Sequence, residues 1–197
     1  MDTPSPRLAP VYRNDNGVFF DIVPGLPGIG NSSAAWGDYD NDVDLDLVLT
    51  GSTGTTVISR IFRNDGGIFN DLVAGLPGSQ QGASAWGDYD NDGDLDLLLT
   101  GEASTGYISR IYRNDFGTFV EVNAGLPGVR QSTAAWGDYD SDNDLDLVLA
   151  GNTGAGFVSR VYRNDSGAFV DVGAGLPGVY VGSAAWADCD NDGDLDL

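Results

Sequence analysis

The chain has 197 residues, of which 30 are acidic and 9 are basic, and its formal charge is −21. All but two of the acidic residues are Asp, every basic residue is Arg, and His is absent. Nucleic acid and anionic membrane surfaces are therefore poor partners, because too few cations are present to neutralise phosphates. With no His and one Cys, zinc sites and His-based or Cys–His catalysis are all but excluded. The hydrophobic fraction of 41% is nevertheless enough for a folded core.

Short strand signals follow one another along the chain, and one complete set runs from residue 82 to residue 131. Apolar runs and alternating β-branched or aromatic residues predict four strands, at residues 83–88, 95–100, 107–113 and 118–122. Asn, Asp, Gly and Pro between them predict tight turns. No segment has an amphipathic helical period of useful length, and no apolar run approaches the ~18 residues of a membrane span.

The same pattern recurs every 50 residues, without insertion or deletion. The residues that mark this period are Trp36, Trp86, Trp136 and Trp186, and also Arg13, Arg63, Arg113 and Arg163. A fixed period of this size predicts an array in which each unit buries its faces against its neighbours. Four short antiparallel strands per unit, apolar on both faces, predict the blade of a β-propeller.

The fold predicted is therefore an all-β propeller of four-stranded antiparallel blades, with residues 1–197 as one domain. It has four repeat equivalents: three whole units, and two half-blades at the ends. Residues 7–22 match the third and fourth strands of a unit, and residues 182–197 match the first strand and the start of the second. The chain ends in mid-strand at Leu197, which indicates a fragment or a component of a larger propeller. A four-bladed ring, part of a larger ring and a multimer that completes one are three alternatives.

Each unit contains an acidic loop of nine residues with Asp at positions 1, 3, 5, 7 and 9. Five carboxylates so close together would repel one another at neutral pH, whereas a hard cation such as calcium needs six to eight oxygen ligands. We expect up to four structural calcium ions and no catalytic residue. The candidate metal ligands are Asp38, Asp40, Asp42, Asp44 and Asp46; Asp88, Asp90, Asp92, Asp94 and Asp96; Asp138, Asp140, Asp142, Asp144 and Asp146; and Asp188, Asp190, Asp192, Asp194 and Asp196.

The loop positions have different expected roles. Position 7 is expected to use its backbone carbonyl, leaving its carboxylate in the outer shell or free. Position 6 requires a sharp turn, which Gly93 and Gly193 allow and Asn143 tolerates. Val43 does not, so we expect the first site to be weaker or distorted. An EF-hand is excluded, because position 12 is Leu within a predicted strand where an EF-hand has Glu.

These motifs resemble a known family. Trp-Gly-Asp-Tyr-Asp-Asn-Asp-Gly-Asp-Leu-Asp-Leu at 86–97, followed by Arg-Ile-Tyr-Arg-Asn-Asp at 110–115 and Gly-Thr-Phe at 117–119, is similar to the FG-GAP/VCBS repeats of integrin α-subunits and many bacterial surface proteins. The resemblance covers all but the first six residues. It implies a β-propeller with calcium between the first two strands of a blade, held by loop positions 1, 3, 5 and 9. It also implies an adhesion or ligand-binding role outside the cell.

Other recurring residues have simpler interpretations. The four Trp are expected to pack in the core. The Arg residues are expected to pair with nearby acids; a basic ligand ring is the alternative. They are Arg60, Arg110 and Arg160, with Arg13, Arg63, Arg113 and Arg163. Cys189, which replaces the Tyr of the other loops, is expected to be inert.

Function is predicted from the family and from the places where the repeats differ. The chain is expected to be a secreted or cell-surface module, not an enzyme, that binds a protein or a glycan. A non-catalytic part of a larger secreted enzyme, such as a polysaccharide-degrading one, is the alternative. Neither nucleic acid binding nor membrane insertion is expected, whereas self-association could complete a propeller. The segments that vary between repeats are expected on the face opposite the calcium loops. Either ligand recognition or drift without function would explain their variation. They are 52–56, 102–106 and 152–156, with 29–31, 79–81, 129–131 and 179–181.

Overall fold

The computed structural model describes residues 9–22 and 25–197, and the regular structure in these residues is entirely β. The all-β prediction is therefore confirmed. Residues 7 and 8 of the predicted N-terminal half-blade lie outside the described residues. In the described ranges there is no helix with the length and apolar character needed to cross a membrane.

The strands fall into one hairpin and three antiparallel sheets. The hairpin consists of β1 (Tyr12–Asp15) and β2 (Val18–Asp21). Blade 1 consists of β3 (Gly30–Gly37), β4 (Asp46–Ser52), β5 (Val57–Asp65) and β6 (Ile68–Asp71). Blade 2 consists of β7 (Ser79–Gln80), β8 (Ser84–Gly87), β9 (Asp96–Ala103), β10 (Gly106–Asp115) and β11 (Thr118–Val122). Blade 3 consists of β12 (Arg130–Gly137), β13 (Asp146–Asn152), β14 (Phe157–Asp165) and β15 (Ala168–Asp171).

Each blade pairs its strands in chain order, as the sequence predicts. In blade 2 the second and third strands, β9 and β10, are longer than predicted, because their hydrogen-bonded pairing continues to Gly106 opposite Ala103. The first strand of blade 2 is divided into β7 and β8, which pair separately with β9. Blades 1 and 3 keep this strand continuous, with a register shift at the same place.

The two predicted half-blades do not pair with each other in the described part of the chain. The hairpin forms a separate two-stranded sheet. At the other end, the bridge between Ala187 and Asp196 brings together the first strand and the start of the second. A fourth blade made from both ends of one chain is thus not formed among residues 9–22 and 25–197.

The core lies between adjacent blades, which pack face to face. Val48 and Ile61 of blade 1 contact a cluster that includes Leu97 and Leu99 of blade 2. The next cluster joins blades 2 and 3 through Leu98, Ile111, Leu147 and Leu149. Because a central strand is covered on both sides, its apolar residues are continuous rather than alternating.

The tryptophans of blades 2 and 3, and Trp186 after them, pack against the glycine that follows the preceding tryptophan. Trp86 stacks on Tyr39 with ring centroids 6.1 Å apart, and its indole N–H donates to the carbonyl of Ala35 at 3.3 Å. A Cβ added at Gly37 would lie 2.6 Å from Cδ1 of Trp86, so there is no room for a larger residue. Gly87 and Gly137 lie as close to Trp136 and Trp186, and Trp186 repeats the indole hydrogen bond, whereas the indole N–H of Trp136 has no acceptor among the described residues.

The innermost strands are joined by a backbone ladder that the sequence did not indicate. The amide of Gln81 donates to the carbonyl of Asn31 at 2.8 Å, and the amide of Val181 donates to that of Gln131 at 3.0 Å. Gln131 bonds to Gln81 in the same way. These four residues, one per unit, all have φ between 47° and 54°. Each blade is thereby held to the next where the strands begin.

We predict that Gly87→Ala destabilises the protein by about 1–3 kcal/mol, because its methyl group would overlap the ring of Trp136. Gly156→Ala is the matched control, since a Cβ there meets no atom within 4 Å. Urea unfolding followed by tryptophan fluorescence measures both changes. Equal stabilities of the two variants would contradict the proposed junction.

Candidate metal centres

The acidic loops are shaped by hydrogen bonds from their own backbone to their Asp side chains. In blade 2, Asp88 at position 1 accepts the amides of Asp92 and Gly93, both at 3.0 Å. Asp92 at position 5 accepts the amide of Asp94 at 2.9 Å. The same three bonds form in the other loops. Contacts this local suit the short side chain of Asp, which accounts for the scarcity of Glu.

Two residues of each loop have a left-handed backbone. Position 4 has φ between 58° and 61° in every loop. Position 6 has φ of 80° at Val43, 94° at Gly93, 73° at Asn143 and 98° at Gly193. Val43 therefore adopts a conformation that is unfavourable for a β-branched residue, and it is 88% exposed. Loop 1 keeps its three internal hydrogen bonds, so Val43 adopts the same left-handed conformation as Gly93 and Gly193. The weaker calcium binding expected at the first site stays a prediction.

Each loop brings three carboxylates close enough to hold one metal ion. One oxygen of each lies within 4.8 Å of the others in four groups: Asp38, Asp40 and Asp42; Asp88, Asp90 and Asp96; Asp138, Asp140 and Asp146; and Asp188, Asp190 and Asp196. All of these residues were predicted as ligands. Loop 1 differs from the others because its group includes position 5 in place of position 9. Position 7 belongs to none of these groups.

In blades 1 to 3 the carboxylate at position 9 is buried and connects two parts of its blade, whereas the equivalent Asp196 is exposed. Asp96 is fully buried, and it accepts the amide of Tyr89 at 3.1 Å and that of Asn114 at 2.8 Å. Burial raises its pKa to about 7 and that of Asp46 to about 6. Removal from water thus disfavours the charged forms of these groups, and a cation beside them would offset that cost.

The carboxylate at position 3 supplies the strongest indication of a cation. Oδ1 of Asp40 and Oδ1 of Asp90 are buried and accept no hydrogen bond from the described residues. Burial raises the pKa of both side chains, and the neighbouring carboxylates at positions 5 and 1 add to the shift. A buried carboxylate oxygen without a donor is costly, and it is a suitable ligand for a hard cation. The residues present therefore fit a metal ion.

The carboxylate at position 7 reaches other segments rather than the centre of its own loop. Oδ1 of Asp94 accepts the side-chain amide of Asn41 at 2.9 Å, and Oδ1 of Asp144 accepts that of Asn91 at 2.8 Å. Oδ2 of Asp44 accepts the backbone amide of Gly66 at 2.7 Å. Position 7 thus connects loops of adjacent blades, a role that the sequence pattern did not reveal.

A buried asparagine also connects adjacent blades. Nδ2 of Asn114 donates to the carbonyl of Tyr39 in the preceding loop at 2.8 Å and to that of Leu95 in its own loop at 3.1 Å. Asn164 makes the same pair of bonds to Tyr89 and Leu145. In the sequence these residues were interpreted as turn formers only, although their 50-residue spacing was a signal that could have identified them.

The recurring arginines lie in ion pairs, as predicted, and do not form a basic ring. The pairs are Arg13–Asp15, Arg60–Asp71, Arg63–Asp65, Arg110–Glu121, Arg113–Asp115, Arg160–Asp171 and Arg163–Asp165. Their exposure makes each pair worth little for stability. The acidic loops therefore lie beside cations that are already engaged with other carboxylates.

The tryptophans and Cys189 differ in their surroundings. Trp86 and Trp136 are packed among the residues of the two larger clusters, as predicted. Trp36 is 47% exposed, because no loop of a preceding blade covers it in the described residues. Cys189 is an exposed free thiol, and its hydrogen bond with Asp196 raises its pKa.

A family model now accounts for the loops and blades together. The model of the FG-GAP-like repeat matches residues 38–99, 88–149 and 138–197. The chain belongs to the FG-GAP-like repeat family. Each match begins at the first Asp of an acidic loop, and the FG-GAP-like repeats agree with the propeller-like blades described above. No curated protein matches the chain.

We predict that Val43→Gly stabilises the first FG-GAP-like repeat, because the left-handed conformation costs a residue with a Cβ roughly 1–2 kcal/mol. The greater entropy of glycine in the unfolded chain offsets part of this gain, so the net effect expected is about 1 kcal/mol. The reverse change, Gly93→Val, should destabilise the second repeat without a clash, since a Cβ there meets no atom within 4 Å. Thermal unfolding gives the melting temperature of both variants. Melting temperatures that shift in the same direction would contradict the role assigned to position 6.

Proposed function

We propose that this chain is a calcium-stabilised binding module of a secreted or cell-surface protein. The observation that carries the proposal is the pair of buried, unpartnered oxygens of Asp40 and Asp90 within groups of converging carboxylates. FG-GAP-like repeats typically occur in extracellular proteins, which supports the location. The module would act by binding and not by catalysis.

Calcium is the cation that suits these loops. It accepts six to eight oxygen ligands in a flexible shell, whereas magnesium requires a stricter octahedral arrangement. The proposed ligands are the carboxylates at positions 1, 3, 5 and 9, with the backbone carbonyl of position 7. Four calcium ions would offset eight of the 21 net negative charges of the chain.

The proposed role of calcium is structural, because each loop is part of the contact with the next blade. Tyr39, at position 2 of the first loop, is buried against Trp86 and Phe119 of blade 2. Repulsion among the carboxylates beside Tyr39 would disturb this contact. A cation that holds the loop together would therefore stabilise the junction between two blades as well as the loop itself.

We predict that calcium raises the melting temperature and that excess EDTA lowers it. Each site contributes about 2.7 kcal/mol when free calcium is 100 times its dissociation constant, and 1 kcal/mol corresponds to roughly 2–4 °C for a domain of this size. Calorimetric melts with calcium, with magnesium and with EDTA measure the effect. A melting temperature that is the same with calcium and with EDTA would refute the proposal.

A matched pair of variants in one loop tests the ligands. Asp90→Asn should weaken calcium binding, because it removes the charge of a buried carboxylate whose Oδ1 has no other partner. Asp94→Asn should retain binding, since that side chain bonds to Asn41 of the preceding loop. Isothermal titration with calcium compares the two, and weaker binding in Asp94→Asn than in Asp90→Asn would reverse the assignment.

We infer that a protein or glycan ligand is recognised on the face opposite the calcium loops. The pairing of Gly30 with Ser52 places the start of the first strand beside the loop between the second and third strands, at the end of the blade remote from the acidic loop. A cavity of about 440 Å³ lies there, lined by residues at the ends of the variable segments, among them Asn31, Gln81 and Gln131. Oε1 of Gln81 is buried and has no hydrogen-bond donor among the described residues. This oxygen is a free acceptor, and it suits a ligand that offers a hydroxyl or an amide N–H as donor.

We predict that the double change Gln81→Ala and Gln131→Ala abolishes signals obtained with the wild-type protein on a glycan array in calcium. Phe116→Ser is the control, because Phe116 is 96% exposed in a turn on the calcium-loop face. Circular dichroism checks that both variants are folded. If the control loses the signals and the double variant keeps them, the ligand face has been assigned to the wrong side.

A further inference from the structure

We propose that blade 2 carries a binding site for one neutral sugar residue, in a polar cavity between the start of β10 and the segment that follows β11. This deepens the proposed function and rests on it for the class of ligand. The site is separate from the cavity beside Gln81 and Gln131, because it lies at the third and fourth strands of a single blade. The polar groups that line it, and their differences between units, support the assignment.

The cavity has a volume of about 220 Å³ and lies at the end of blade 2 that is remote from the acidic loop. Residues 107–110 of β10 line one side, and residues of the segment 121–128 line the other. The antiparallel pairing of β11 with β10 stops at Ile111, and the chain after β11 returns to that strand only at Ile108. The cavity is therefore enclosed by backbone that is part of the blade itself.

An ion pair lies at the cavity. Nη1 of Arg110 donates to Oε2 of Glu121 at 2.7 Å, and the two side chains are 30% and 47% exposed. An anionic ligand would be repelled by Glu121 and a cationic ligand by Arg110, so a neutral ligand is favoured. Because a guanidinium offers several donors and a carboxylate several acceptor sites, their mutual bond leaves some of each for that ligand.

The hydroxyl of Ser109 adds a polar group without a partner. Its Oγ is buried and makes no hydrogen bond with the described residues. The equivalent Ser59 and Ser159 accept backbone amides, from Ser79 at 3.0 Å and from Val179 at 3.2 Å. In blade 2 this hydroxyl is thus free both to donate and to accept. Since an unpaired buried hydroxyl is unfavourable, a ligand hydroxyl that pairs with it would be stabilised.

Two polar residues of the cavity distinguish blade 2 from its sister units. Glu121 replaces Asp71 and Asp171, and Asn123 replaces Val73 and Gly173. Asp is sufficient for the ion pair, because Asp71 and Asp171 pair with their arginines at 2.9 Å and 3.1 Å. The pair therefore does not require the longer side chain of Glu121, one of the two Glu of the chain. Together with the amide of Asn123, it gives this cavity more polar groups than its sisters have.

A sugar residue matches this combination of groups. Each hydroxyl of a sugar both donates and accepts, so adjacent hydroxyls bond to the carboxylate and the guanidinium without separating them. A zwitterionic amino acid also matches the two charges, but it would have to replace the existing ion pair of 2.7 Å. The cavity is smaller than the ~300–1,000 Å³ of typical small-molecule sites, which suits a single sugar residue of a glycan.

Solution NMR in calcium tests the site on the whole chain of 20.6 kDa. Isotope-labelled protein is titrated with the methyl glycosides of glucose, galactose, mannose, fucose and N-acetylglucosamine. We expect at least one of them to shift the backbone signals of Ser109 and Gly125 and the side-chain amide signal of Asn123, in a saturable manner. If none of the sugars shifts these signals, the proposal is overturned.

A variant that gives blade 2 the residues of blade 3 separates binding from folding. Glu121→Asp combined with Asn123→Gly keeps an acidic partner for Arg110, as Asp171 is for Arg160. We expect this variant to bind the sugar at least about tenfold more weakly, which is the effect of losing one hydrogen bond to a charged group. Circular dichroism and a melt in calcium check that it is folded. Affinity equal to that of the wild-type protein would overturn the assignment.

The double change Gln81→Ala and Gln131→Ala is the control, and it should leave the shifts at Ser109 and Asn123 unchanged. If those shifts occur while the glycan array gives no signal that depends on Gln81 and Gln131, the proposed ligand face fails and the blade 2 site stands. Shifts confined to Gln81 and Gln131 would overturn the blade 2 site alone. Shifts at Ser109 and Asn123 with free glycine, and with none of the sugars, would overturn the choice of a sugar.

Discussion

The contact on which this structure depends is the insertion of one residue from an acidic loop into the next blade, as the loops of blades 1 and 2 show. Tyr39 and Tyr89 carry both parts of this contact, a buried ring and a backbone carbonyl that accepts a buried asparagine amide. The glycine before each of these two loops, Gly37 or Gly87, admits the tryptophan of the next blade. Blade stacking therefore depends on the shape of a loop that contains five carboxylates. The most highly charged segment of the repeat lies next to the apolar contact between two blades.

The arrangement reconciles charge with burial in two ways. Backbone amides satisfy many of the carboxylate oxygens, as at position 9, where Asp96 connects its loop to the turn between the third and fourth strands. Oδ1 of Asp40 and Oδ1 of Asp90 receive no such hydrogen bond, and a cation beside them would offset the cost of their burial. Asp is suited to both purposes because its short side chain lets the loop close on itself, whereas the longer Glu side chain would lose more rotamer entropy on being fixed.

The repeat, the strands, the acidic loops and the pairing of the arginines could be predicted from the sequence, since each depends on patterns within about one unit. The contacts that were missed join residues of different units. Asn114 bonds to Tyr39, 75 positions earlier, and Asn41 bonds to Asp94, 53 positions later. Perfect periodicity shows that such residues recur, but it does not show which unit each one faces. For the same reason, the sequence could not indicate that Trp36 is half-exposed while Trp86 is packed.

Strict repetition also explains why neighbouring units depend on one another. In a repeat protein each unit is stabilised mainly by its neighbours, so the contacts between units carry much of the stability. The same two elements, an acidic loop and the blade that receives its tyrosine, meet where blade 1 joins blade 2 and where blade 2 joins blade 3. If calcium holds the loops in shape, it would also hold these tyrosines in place, so that metal binding and blade stacking would strengthen each other.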